Sequence, residues 1–120
     1  MTTTLGKPLS FSSLPWSSLD DAIGGDLLLP DSPDYEVARH VWNGMIDRRP
    51  AAIARARTTE DVVAAVRFAR EHGLEIAVRG GGHNAAGLAV VDDGLVIDLS
   101  EMNQVQVDPE RRIGRSGGGA

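Results

Sequence analysis

No cysteine occurs in the 120 residues, which excludes a disulfide framework, a thiolate metal site and a thiol nucleophile within them. No apolar run approaches the ~20 residues that a membrane-spanning helix needs. Positive charge is in deficit as well. Twelve Lys and Arg against 17 Asp and Glu leave a formal net charge of -5, and phosphate backbones reward basic stripes, so neither a nucleic acid nor a membrane is the expected partner. What remains, 42% hydrophobic and 24% charged residues, is the mixture of a globular chain and excludes wholesale disorder or a fibrous repeat. The length allows one domain or a piece of one. Glycine, by contrast, is plentiful: 14 residues, ten of them from Gly73 onward. Glycine so crowded serves either as a flexible linker or as backbone brought close to a ligand.

The stretch Met1 to Trp16 is Thr/Ser-rich with two prolines and lacks the charged and apolar regions of a signal peptide. Residues 1–30 therefore read as a partly flexible lead-in, and the cytoplasm as the location. Ser17 to Gly24 suits a short helical turn, and Pro30 stops the apolar run Leu27-Leu28-Leu29. Ser32-Pro33-Asp34 has the form of a helix start, with Ser32 as the cap, and Tyr35, Ala38, Val41 and Trp42 recur at helical spacing before Gly44. That spacing makes Tyr35 and Trp42 packing residues. Ala51 to Ala56 is β-capable. Thr58, with Asp61 three residues on, opens the clearest helix, striped by Val62, Ala65, Val66 and Ala69 and closed by Gly73. Leu74 to Val78 is a strand, so Ala51 to Val78 predicts a right-handed strand–helix–strand unit with parallel strands. Strands follow at Leu95 to Leu99, after an Asp92-Asp93-Gly94 turn, at Val105 to Val107, and from Ile113 after the turn Asp108-Pro109-Glu110.

Arg79-Gly80-Gly81-Gly82-His83-Asn84 directly follows the strand ending at Val78. Three glycines in a row let the backbone turn sharply and present successive N–H groups as a nest for an anion such as a pyrophosphate. The plainer alternative is a tight turn that uses glycine. A phosphate loop of the Gly-Lys-Ser/Thr kind is absent. Gly80-x-Gly82-x-x-Ala85, with Asp98 beyond it, fits the dinucleotide fingerprint for NAD, but Asn84 to Gly94 leaves no room for the crossover helix that fingerprint requires.

Ile76 to Gly87 resembles the flavin loop of FAD-linked oxidases with a vanillyl-alcohol-oxidase-type (PCMH-type) FAD-binding domain, in the berberine-bridge-enzyme-like branch. Thr58 to Val62 with Glu71-His72-Gly73, Gly94 to Ser100, and Gly117 to Ala120 resemble the same family in the same order. The resemblance covers about Asp31 to Ala120. It implies an α+β fold, a small parallel βαβ layer followed by the start of a second sheet, with residues 31–120 as an incomplete FAD-binding domain.

It also implies that Arg79, Gly80, Gly81, Gly82, His83, Asn84, Gly87, Leu88, Gly117, Gly118, Gly119 and Ala120 contact FAD. In that family the histidine after the glycines is joined to the 8α-methyl of the flavin, and His83 stands at that position. Such a link anchors the cofactor and can raise its potential for hydride abstraction from an alcohol, a sugar or a similar small molecule. A second link through cysteine, the substrate domain and the catalytic base lie downstream in the family. These 120 residues alone are therefore expected to be inactive, with a remnant of weak or no FAD binding as the alternative. Arg79 could face a phosphate or end its strand in solvent. His40 and His72 lack metal-ligand spacing and read as surface or capping residues, and Asp98 as a strand end that bonds nearby N–H groups.

Overall fold

A computed structural model describes residues 14–40, 47–80 and 92–119. A four-stranded sheet is built from β1 (Asp26–Leu28), β2 (Ala52–Arg55), β3 (Ile76–Arg79) and β4 (Leu95–Asp98), in the spatial order β1-β2-β4-β3. The last three are mutually parallel and β1 pairs antiparallel with β2. Leu95-Val96-Ile97 is an unbroken apolar run, as a strand covered on both faces must be, and all four residues of β4 are buried.

Side chains alternate across the sheet. Ala52, Ala54, Leu95 and Ile97 face one core, covered by α1 (Trp16–Ala22) and α3 (Thr59–His72) through Trp16, Leu19, Ala65, Phe68 and Ala69. Ile53, Val96 and Ala77 face the other, covered by α2 (Tyr35–Arg39) through Tyr35 and Ala38.

The long helix is framed as its sequence implies. The Thr58 hydroxyl accepts the Asp61 N–H at 3.2 Å, and Gly73 closes the helix at φ 66°, a conformation glycine adopts without steric cost. The strand–helix–strand unit has parallel strands, although β4 lies between them. The second sheet begins as expected, as an antiparallel hairpin of β5 (Val105–Asp108) and β6 (Ile113–Ser116). Asp108 accepts the Glu110 and Arg111 N–H groups across its turn.

Two local expectations change. Ser32 does not cap α2: Asp34 holds that position without a side-chain cap bond, and Ser32 Oγ accepts the Leu29 N–H at 2.9 Å instead. Packing also begins well before residue 31, because Trp16, Leu19, Ile23 and Leu28 are all buried. Val41, Trp42 and Gly44 lie outside the described residues. Among the described residues no helix is long and apolar enough to cross a membrane.

Candidate functional site

The three parallel strands end level with one another. Arg55 and Arg79 both stand opposite Asp98 in the register, so the carboxyl ends of β2, β4 and β3 form one rim. Chain direction across the sheet reverses at β3, since β4 steps back toward β2. In open α/β sheets ligands bind outside the carboxyl ends of the strands.

Gly80 leaves that rim directly after β3, and Gly118 comes to it from β6. A Cβ built on Gly80 would lie 2.4 Å from the Gly118 carbonyl oxygen. The two glycine-rich stretches, far apart in sequence, thus meet backbone against backbone. The later one also rests on the segment after β4. A Cβ at Gly117 would fall 1.9 Å from the Met102 oxygen, one at Gly118 2.6 Å from Leu99 Cδ1, and one at Gly119 1.9 Å from the Leu99 oxygen. The Gly117 N–H donates to Gln104 O at 2.9 Å and the Gly119 N–H to Met102 O at 3.1 Å. Gly117 and Gly119 are therefore required for close backbone approach, and their N–H groups serve the protein.

Of the residues expected to contact a cofactor, Arg79, Gly80, Gly117, Gly118 and Gly119 are described and brought together. Gly81, Gly82, His83, Asn84, Gly87, Leu88 and Ala120 lie outside the described residues, as does nearly all of the Asn84 to Asp92 stretch on which the NAD reading turns. The Arg79 side chain is engaged within the protein. It is 11% exposed, and its Nη2 meets Asp98 Oδ2 at 2.7 Å. Its Nη1 donates to the carbonyls of Ala38 and, at 3.0 Å, His40. Asp98 does bond a local N–H, accepting from Ser100 at 2.9 Å. Its partnership with Arg79 escaped the sequence reading, although both residues close apolar strands of equal length. Leu99 and Met102, the platform under the glycines, gave no signal beyond their hydrophobicity.

His40 is exposed just after α2, and the His72 ring lies 4.4 Å from that of Phe68. Among the described residues no cluster of His, Cys, Asp or Glu is arranged for a metal. A cavity of about 580 Å³ lined by Trp16, Leu29, Tyr35, Pro50 and Asp93 shares no residue with the glycine stretches.

The arrangement suits a dinucleotide cofactor: two glycine backbones meet at the carboxyl ends of parallel strands with no side chain between them. Residues 80–91 contain no lysine or arginine, so an anion there would depend on neutral N–H donors.

Comparison with known proteins agrees. Residues 50–120 match the FAD binding domain family. The chain is 38% identical over 119 residues to (R)-6-hydroxynicotine oxidase of Paenarthrobacter nicotinovorans, covering 99% of this chain and 23% of that protein. Among solved structures, the glucooligosaccharide oxidase of Acremonium strictum superposes with a TM-score of 0.77 at 30% identity, over 93% of this chain and 23% of that one. BBE-like 1 of Physcomitrella patens gives 0.73 at 28% identity, over 80% and 21%. The fold and the match define an FAD-binding domain. The chain belongs to the vanillyl-alcohol-oxidase-type family of FAD-linked oxidoreductases, in its berberine-bridge-enzyme-like branch. It spans about a quarter of the length of these relatives.

Proposed function

We propose that the chain provides the pyrophosphate-binding part of a flavin-dependent oxidoreductase that oxidises an alcohol, a sugar or a similar small molecule. FAD, when bound, supplies the hydride acceptor. The observation that carries this reading is the meeting of Gly80 and Gly118 at the carboxyl ends of β3 and β4. Gly80, Gly81, Gly82, Asn84, Gly87 and Leu88 are assigned to contact the cofactor from the first glycine stretch, and Gly117, Gly118, Gly119 and Ala120 from the second. His83 is assigned as the residue that would hold the flavin covalently, its neutral imidazole nitrogen being the atom available for such a bond. The likeness to glucooligosaccharide oxidase supports this, since that enzyme has an 8α-N1-histidyl FAD.

The described residues contain part of a cradle and no second substrate-facing layer. On its own the chain is therefore expected to bind FAD weakly and to catalyse nothing.

The test exchanges residues 14–119 into (R)-6-hydroxynicotine oxidase and precipitates the chimaera with acid. Flavin should stay on the protein and be lost from the His83→Ala variant. Flavin retained by that variant removes His83 from the assignment. For the isolated chain, saturable micromolar binding in an FAD titration contradicts the expected weakness.

A further inference from the structure

We propose that Arg79 is a positioning residue, which couples the two glycine stretches through Asp98 instead of touching the cofactor's phosphates. This rests on the flavin reading for its functional meaning, but the coupling itself is a property of the protein alone.

The guanidinium makes three contacts on two segments. It pairs with Asp98 at the end of β4 and takes the carbonyls of Ala38 and His40 where α2 ends. Its planar fork can hold these together, whereas a lysine ammonium is a single point on a flexible stem. The pair is deeply placed, with Asp98 1% exposed, so neither charge is offered to a ligand.

From Asp98 the constraint reaches the second glycine stretch by two routes. Through its other oxygen, Asp98 takes the Ser100 N–H and shapes the turn in which Met102 N–H bonds to Leu99 O at 2.8 Å. Gly117, Gly118 and Gly119 pack on that turn. Through the backbone, the Arg79 carbonyl accepts the Leu99 N–H at 2.8 Å, and Gly80, the next residue, abuts Gly118. One residue thus serves both stretches: its side chain, through Asp98, holds the platform of the second, and its backbone holds the departure of the first.

The test is amide hydrogen exchange on the full chain. The readouts are the Gly117 and Gly119 N–H groups, with the amides of Ala65 to Ala69 in α3 as the internal reference. Arg79→Lys should speed exchange at the two glycines by about tenfold or more and leave the reference within about twofold. In case single variants unfold, the pair is also replaced together as Arg79→Met with Asp98→Leu, which removes both buried charges at once. That protein should melt near the original yet lose glycine protection to the same degree. Unchanged protection, or a loss shared equally by α3, overturns the coupling.

FAD affinity measured at two salt concentrations separates positioning from phosphate contact. Arg79→Lys and Arg79→Met should weaken binding alike with the original salt dependence. Lysine restoring affinity that methionine loses overturns the proposal in favour of direct contact. If the unsubstituted chain binds FAD too weakly to measure, as its partial cradle implies, the exchange data alone decide the coupling, and the flavin reading stands or falls on the chimaera.

Discussion

Replacing Gly80 with alanine tests whether the meeting of the two glycine stretches is structural necessity. The added Cβ would stand 2.4 Å from the Gly118 oxygen and 3.6 Å from its carbon. Ordinary carbon–oxygen approach is about 3.3 Å, so the stretches must part by roughly 1 Å. The obstacle is backbone, which cannot swing aside as a flexible side chain would. Overpacking of this kind costs about 1–3 kcal/mol, or a fall of ~4 °C or more in melting temperature.

Two other glycines serve as controls because their surroundings differ. Gly114 has nothing within 4 Å of a built Cβ and an unstrained backbone, so Gly114→Ala should be neutral or stabilise by up to about 1 kcal/mol. Gly73 also has open space but sits at φ 66°. Gly73→Ala should therefore cost roughly 1–2 kcal/mol through backbone strain alone. Melting curves followed by circular dichroism rank the three. Amide exchange at Gly119 should quicken in Gly80→Ala but change in Gly73→Ala only as far as global stability does. A Gly80→Ala protein that melts with the original and keeps its Gly119 protection would refute the contact.

Asp61 should show as a pH-dependent staple. Its two oxygens accept the N–H groups of Gly24, Gly25 and Arg57 at 2.9, 3.2 and 3.0 Å. Burial pushes its carboxyl up, but these donors and the Thr58 hydroxyl outweigh that and hold it below its ordinary value. Its contribution is thus complete above the unfolded value of about 3.9 and lost as pH falls through the lower folded value. Asp61→Asn should cost about 2–3 kcal/mol at pH 7, and the gap in urea midpoint should narrow at pH 3; an equal gap at both refutes the assignment. Tyr35, the chain's single tyrosine, is 2% exposed and donates to Pro50 O at 2.5 Å. Burial raises its phenol above 10.0 against the pull of Arg39 and Arg49, so absorbance in alkali should show ionisation beginning later than for free tyrosine; earlier ionisation refutes the burial. Tyr35→Phe should cost about 1–2 kcal/mol by leaving that carbonyl unpaired.

The legible parts of the fold were those written in local chemistry. Thr58 with Asp61 and Gly73 with its left-handed turn mark both ends of α3 within a few residues of sequence. The unbroken apolar run at Leu95 announces a strand covered on both faces. Its place between β2 and β3 was not legible, because strand order depends on contacts among distant segments. Likewise, Ser32-Pro33-Asp34 has helix-start chemistry, yet the Leu29 N–H competes for the Ser32 hydroxyl and wins. At the site, glycine-rich composition pointed to both stretches but not to their meeting. For Arg79 the sequence left a phosphate contact and a solvated strand end equally open, and its partners, Asp98 and the carbonyls of residues 38 and 40, were not legible because they come from elsewhere in the chain.

The central position of β4 also sets the order in which the protein can assemble. Once the chain has passed residue 79, β2 and β3 have their crossover helix but are separated by the width of a missing strand. Both then present open edges to the same slot, and open edges invite pairing with other chains. Residues 95–98 close the slot by pairing on both sides. The rim on which Gly80 and Gly118 meet depends on that closure, because Asp98 stands between Arg55 and Arg79 in the register.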